Sequence, residues 1–431
     1  MGLDTEDPLT SVFRYVVQRE AACRAQRDRC CGPLSQSQRP TGAALNLNPL
    51  LVGTAAPPIP AVRAWSARYR GREPLIDLSQ AVPGYPPPPE LLAHIAAAGG
   101  SLDAAAYGAI TGDATLRSRY AEEVSELYGG SVSLDEIAIT AGCNQAFVVT
   151  AMTLATAGDT VILPLPWYFN HKMILDTLGV EAVALPCRAE AGFIPSVEAA
   201  ATLIGPRTRA IVLVSPNNPT GAIYPPATIA AFAELCADRG IALVIDETYR
   251  DFNAADRRPH DLIAETDWQE TLVQLYSFSK AYCIPGHRVG AVLAGQRFIA
   301  ELTKVLDCVQ ICPPRAPQTA LTWAIGALSG WRGENRRTIA ARAQSFRSVV
   351  SSIAGWSVAS IGAYFAYVRH PYPGRPAAAV AEWLAAERGV VSLPASYFGP
   401  RQEDFLRLAY ANVDVAAINA LPERLAVGAS G

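Results

Sequence analysis

The residues with the most chemical content in this chain stand in a fixed order: Asn218-Pro219-Thr220-Gly221, Asp246-Glu247-Thr248-Tyr249, Ser277-Phe278-Ser279-Lys280, then Arg288 and, much later, Arg407. Together they supply an amide, a carboxylate, a phenol, hydroxyls, a primary amine and two guanidinium groups. A lysine amine condenses with an aldehyde, a carboxylate keeps a ring nitrogen protonated, and hydroxyls beside a guanidinium bind a phosphate dianion. A phosphorylated pyridine aldehyde asks for all three. The set therefore points to pyridoxal 5'-phosphate attached to Lys280 as a Schiff base, with Asp246 at the pyridine nitrogen.

Such groups act together only if regular elements hold them. Short apolar runs at 137–140, 161–164, 182–185, 210–214, 241–245, 272–276 and 289–294 alternate with helical patterns such as 145–155, 168–178 and 227–238. That alternation predicts an α/β fold: a three-layer αβα large domain over residues 95–325 with a mainly parallel seven-stranded sheet, covered by helices on both faces. Residues 326–431, with helices at 330–350 and 377–387 and strands at 364–368 and 405–410, read as a smaller α+β domain. Residues 1–94 read as an amino-terminal extension, an arm and part of the small domain. Helices are expected there at 9–31, 59–70 and 90–98, with a Ser/Gln/Gly-rich connector ending near Ala43 and a short strand at 76–79.

The chemical residues fall where this architecture binds ligands. Asp246 ends the apolar run 241–245, at the carboxyl edge of a parallel sheet. Gly142-Cys143-Asn144-Gln145 follows the first strand and opens a helix, so the amides of Cys143 and Asn144 can hold phosphate oxygens. Asn218 and Tyr249 can reach the ring oxygen, while Ser277, Ser279 and Arg288 can share the phosphate. Arg288 directly precedes an apolar strand, where an anion would offset its desolvation. His287 beside it reads as a packing or surface residue.

Composition narrows the class. With 431 residues, half of them apolar and 17% charged, the chain can bury one large core and carry a second, smaller one. A formal net charge of −3 suits no nucleic-acid backbone, and no apolar stretch is long enough to span a membrane. The amino terminus lacks the features of a secretory signal, so a cytoplasmic location is expected. The nine cysteines show neither paired Cys-x-x-Cys units nor histidines at ligand spacing; they read as reduced thiols, and no metal is expected.

From residue 76 to about 410 these motifs resemble the fold-type-I pyridoxal-phosphate enzymes, and among them the class I/II aminotransferases. Asn-Pro-Thr-Gly, Asp-x-x-Tyr, Ser-x-Ser-Lys followed by Arg-Val-Gly, and a late Phe-x-Arg-x-x-Tyr occur in the family's order. The resemblance implies that Lys280, Asp246 and Tyr249 are catalytic. It also implies that Tyr168 stacks on the pyridine, with Trp167 as the second choice, and that Arg407 clamps the substrate carboxylate with help from Asn218. Tyr107 matches a tyrosine that reaches the phosphate of a partner subunit, implying a homodimer with composite sites. Ala81 stands where many relatives have glycine, so the wall beside the substrate differs.

The implied activity is transfer of an amino group from an α-amino acid to a 2-oxo acid, in specialised biosynthesis. The alternative is another fate of the same carbanion: elimination, substitution, cyclisation of a substrate such as S-adenosylmethionine, or oxidation. Tyr85, Trp167, Tyr282, Tyr364 and Tyr397 are the expected aromatic pocket. A DNA-binding regulator built on the same fold is disfavoured, because the amino-terminal segment is not strongly basic and lacks a pair of recognition helices.

Overall fold

The computed structural model describes residues 45–253, 258–265 and 267–426. The helix expected over 9–31 and the connector behind it lie outside the described residues. A short strand, β1 (Ile76–Asp77), precedes the main sheet, whose strands are β2 (Ile137–Thr140), β3 (Thr160–Leu165), β4 (Glu181–Pro186), β5 (Thr208–Val214), β6 (Ala242–Asp246), β7 (Leu272–Ser277) and β8 (Gly290–Ala294). All seven apolar runs read from the sequence form its strands. Their order is β2-β8-β7-β6-β5-β3-β4.

Every neighbouring pair from β4 across to β7 is parallel, and β8 runs antiparallel to both β7 and β2. The reversal has a local cause. Only the one-turn helix Phe278–Ala281 and the 3-10 turn Pro285–His287 separate β7 from β8, too little chain for the helical crossover that a parallel neighbour requires. β5 and β6 are buried almost throughout, as expected for strands covered on both faces. The helices between them are bounded by local signals: Pro226–Arg239 begins with proline in its first turn and ends at Gly240 in the left-handed region (φ 61°).

A second sheet holds β9 (Ser357–Gly362), β10 (Phe365–Arg369), β12 (Leu393–Pro394) and β13 (Phe405–Leu408), antiparallel in the order β12-β13-β10-β9. The long helix Ser329–Ser351 contributes Ile339, Phe346 and Val350 to the core against this sheet. β1 pairs in parallel with β11 (Val390–Val391), which draws the segment after Asp77 back from its distant place in the sequence. The helix expected over 377–387 is an α-helix only through Trp383 and continues as a π-turn, Leu384–Arg388.

Behind the end of β6 lies a buried polar cluster that fixes the turn following Asp246. Glu247 is fully buried; it accepts hydrogen bonds from the Tyr128 hydroxyl and from Gln274 Nε2 (2.6 Å), with His260 Nε2 at 3.3 Å and Arg250 at 3.9 Å. Arg250 in turn lies 4.0 Å over the Tyr276 ring. Removing one member of such a network leaves the others desolvated and unpaired, which costs about 3–5 kcal/mol. Glu247→Ala is therefore expected to lower unfolding stability by about that amount in urea titrations. A loss below about 1 kcal/mol would show that the cluster does not hold this turn.

Candidate active site

The carboxyl ends of β5, β6 and β7, the start of the helix Cys143–Leu154 and residues 80–81 surround a cavity of about 420 Å³. Lys280, Asp246, Tyr249, Cys143, Asn144, Tyr168, Asn218, Ser277, Ser279, Arg288, Arg407 and Ala81 all line it. Tyr107 does not: it is 80% exposed on the loop before the helix Ala114–Tyr128. A single chain thus gathers residues spread from 81 to 407.

At one end Gly142, Gly290 and Arg288 come together at the start of the helix Cys143–Leu154. Gly142 caps the helix Cys143–Leu154 with φ +90°, and a Cβ there would strike the Arg288 guanidinium. Gly290, the first residue of β8, approaches the 142–143 backbone so closely that a Cβ would lie 2.8 Å from the Cys143 nitrogen. Arg288 is solvent-accessible rather than enclosed; it leaves the 3-10 turn in the left-handed region (φ 53°) and donates to Pro285 O and Ala141 O. Ser277 Oγ accepts from the Ser279 amide, and the buried Ser279 Oγ has no hydrogen-bond partner in the protein. A helix N-terminus, an arginine and an unsatisfied hydroxyl fit a phosphate.

Further in, Asp246 is 4% exposed, with Oδ2 3.2 Å from His171 Nε2 and Oδ1 accepting from the Thr248 amide at 3.0 Å. Burial alone would raise its pKa, but the His171 hydrogen bond and charge, with Thr248, hold the carboxyl below its ordinary value. His171 is itself stacked on Phe147, with ring centroids 3.9 Å apart. Sequence reading left His171 without a role. Its available signal was helical: it lies three residues beyond Tyr168, at the start of the helix Phe169–Leu178.

Lys280 extends from the helix Phe278–Ala281, and its Nζ donates to the Ala81 carbonyl. Burial, with the positive charges of Arg407 and Arg288, lowers its ammonium from the ordinary lysine value to about 8. Tyr249 is buried, and desolvation pushes its phenol well above the ordinary value, so it stays a hydrogen-bond donor. The Tyr168 hydroxyl donates to Asn144 Oδ1 at 3.4 Å.

Arg407 sits on β13, inside the second sheet, and is 3% exposed. NH1 donates to Asn218 Oδ1 at 3.0 Å, NH2 donates to the Ser79 carbonyl, and Nε has no partner. Its guanidinium also packs over Phe365 and Phe398 at 4.8 and 5.2 Å. Burial lowers its pKa to about 10, with nearby Tyr249 and Tyr168 opposing the shift. A rigid fork held at both ends and still carrying a free donor suits a planar carboxylate.

The aromatic pocket expected from Tyr85, Trp167, Tyr282, Tyr364 and Tyr397 is corrected: none of the five lines the cavity. Tyr282 is fully buried beneath Arg332, Tyr364 packs behind Tyr249 and Phe252, Trp167 lies under Gly399, and Tyr397 joins a peripheral cluster with Val62. Tyr85 meets Trp331 edge-on. The wall is built instead from Pro57, Pro58, Ile59, Phe169 and neutral polar residues.

Comparison with known proteins agrees with this geometry. The aminotransferase class I and II family matches residues 73–425, and the chain belongs to that family. It is 26% identical to an aromatic aminotransferase of Arabidopsis thaliana across 88% of this chain and 94% of that protein. It is 32% identical to an arginine–pyruvate transaminase of Pseudomonas aeruginosa, across 70% and 77% respectively. Among solved structures, Thermus thermophilus aspartate aminotransferase with maleate superposes with a TM-score of 0.81 at 23% identity, covering 89% of this chain and 99% of that one. The protein is a pyridoxal-phosphate-dependent enzyme of aminotransferase type.

The lowered Lys280 value has a direct consequence. In cofactor-free protein, Lys280 should lose its proton, and become nucleophilic, as pH rises through about 8, below the range of ordinary lysines. Competitive acylation followed by peptide mass analysis across this range should show Lys280 labelling ahead of surface lysines. Labelling that rises only with the bulk lysines would contradict the assigned environment.

Proposed function

We propose that the protein transfers the amino group of an α-amino acid to a 2-oxo acid, with Lys280 as the attachment point and proton carrier. The observation that carries this reading is the convergence of Lys280, Asp246 and Arg407 on one cavity: an amine with a lowered pKa, an ionised buried carboxylate and a buried guanidinium with an unused donor. When bound, pyridoxal phosphate supplies a ring that stores the electron pair released when the substrate Cα–H bond breaks.

The remaining work falls to the chain. Arg407 binds the substrate carboxylate, and Asn218, already bonded to NH1, fixes the orientation of the guanidinium. Asp246, held by His171 and Thr248, keeps the pyridine nitrogen protonated. Ser277, Ser279, Arg288 and the amides of Cys143 and Asn144 hold the phosphate, Tyr168 covers the ring face, and Tyr249 and Asn218 donate to the ring oxygen. Lys280, whose ammonium is lowered to about 8 by burial and by the charges of Arg407 and Arg288, would be the base that takes the substrate α-proton and the acid that returns it.

We further propose a homodimer in which Tyr107 of each protomer completes the other's phosphate site. The support is its 80% exposure outside its own cavity together with the match of its motif to the family's. A reducing, cytoplasmic setting suits the six free cysteines found among the described residues. Among those residues, no helix is long and apolar enough to cross a membrane.

Two substitutions test the roles. Arg407→Ala should lower kcat/KM by the equivalent of roughly 2–5 kcal/mol while leaving the spectrum of the bound cofactor nearly unchanged. Unchanged kinetics, or loss of cofactor, would reassign Arg407. Asp246→Asn should keep the fold, checked by circular dichroism, yet sharply reduce turnover at saturating cofactor, because a neutral amide cannot stabilise the protonated ring nitrogen. Native turnover in that variant would remove Asp246 from the mechanism.

A further inference from the structure

We propose that Asn412 is a positioning residue for the reaction: it clamps the loop 79–85, whose Ser79 and Ala81 carbonyls hold Arg407 and Lys280 in place. This rests on the aminotransferase reading above. The loop leaves β1 and forms no helix or strand of its own, yet two of its carbonyls meet the two cations on which that reading turns. Arg407 NH2 donates to the Ser79 carbonyl, and Lys280 Nζ donates to the Ala81 carbonyl. A backbone carbonyl directs a cation only as well as its own peptide is held, so the loop needs a brace.

That brace comes from the segment after β13. Asn412 closes the 3-10 turn Tyr410–Asn412, a short way beyond Arg407, and does not itself line the cavity. Its Oδ1 accepts from the Val82 amide at 2.9 Å, while its Nδ2 donates to the Gln80 carbonyl and, at 3.3 Å, to the Asp77 carbonyl. It therefore grips the backbone on both sides of Ala81. Among the described residues, no other side chain hydrogen-bonds to the backbone of Gln80 or Val82. The two ends of the loop are tied separately. Ala409 N donates to Leu78 O at 2.7 Å and Gly84 N to Ala411 O at 3.0 Å, and Arg342 of the helix Ser329–Ser351 donates to both Ala411 O (2.6 Å) and Gly84 O (3.2 Å). Gly84 lies flush against this turn, where a Cβ would stand 2.6 Å from the Asn412 carbonyl oxygen. The stretch between those ends, which carries the Ala81 carbonyl, depends on Asn412.

The test compares the native protein with Asn412→Ala, and with Trp356→Phe as a control that removes a hydrogen bond away from the loop, Trp356 Nε1 to Leu425 O at 3.0 Å. In cofactor-free protein, competitive acetylation read by peptide mass gives the pH midpoint of Lys280. The groups facing Lys280, namely Arg407, Arg288 and Cys283, are kept in the variant. Loosening the carbonyl that accepts from the ammonium should lower that midpoint by about half a unit or more, since a hydrogen bond to the charged form favours it. In holoenzyme, with the best pair drawn from the twenty L-amino acids and the acceptors pyruvate, 2-oxoglutarate and oxaloacetate, the donor KM should rise about tenfold while kcat falls less and cofactor content is unchanged. Trp356→Phe should move neither readout. If Asn412→Ala does not fold, Asn412→Ser, too short to reach all three partners, is measured in its place with the same expectations. A variant in which either the Lys280 midpoint or the donor KM stays at the native value, or a control that shifts both equally, would overturn this proposal and leave the aminotransferase reading intact. Native holoenzyme that transfers no amino group between any of these pairs would overturn both.

Discussion

A carboxylate buried at the end of a parallel strand is the constraint on which the rest of this structure depends. Asp246 terminates β6, where strand polarity places it at the carboxyl edge of the sheet. Keeping it ionised there requires compensation, and the surrounding sequence is arranged to give it. His171 approaches from the helix after β3, the Thr248 amide closes from the turn, and the Glu247 cluster pins that turn from behind. The same edge carries Lys280 from the end of β7 and Asn218 from the end of β5, so one sheet fixes the mutual placement of acid, amine and amide. Arg407 reaches the cavity from a different sheet, through its bond to Asn218.

The main sheet was legible because its strands are short, apolar and separated by amphipathic helices. Asp246 and Lys280 follow apolar runs directly, and their positions could be read from the runs. The second sheet was less legible. β9 is only partly buried and carries Ser357, Ala359 and Ser360, so no apolar run marks it. β11 and β12 are two residues each, and their pairing with β1 and β13 is a matter of distant chain segments meeting, which no local pattern records. The π-turn after Trp383 likewise follows a sequence that continues in helical style.

For the site, residues carrying distinctive functional groups in ordered motifs were readable, and twelve of the thirteen named line a single cavity, with Tyr107 outside it. The neutral wall was not. Aromatic residues near the motifs suggested a pocket, yet tyrosine and tryptophan serve equally well as packing material, and here they pack. Ile59 and Pro58 lie far from the motifs in sequence and reach the cavity only through the packing of one helix on β11 and β12. His171 shows the complementary case: sequence reading gave it no role, because its partner, Asp246, becomes visible only when β3 and β6 are brought into one sheet.

The central claim is that Lys280 is the residue to which the cofactor is joined. Borohydride reduction of the holoenzyme, followed by proteolysis and mass analysis, tests it without relying on any substrate. The predicted result is a single pyridoxyl-phosphate modification on the peptide containing Ser277-Phe278-Ser279-Lys280, absent after Lys280→Ala. Modification of a different lysine in the native protein, or an unchanged reduced adduct in the Lys280→Ala variant, would contradict the account.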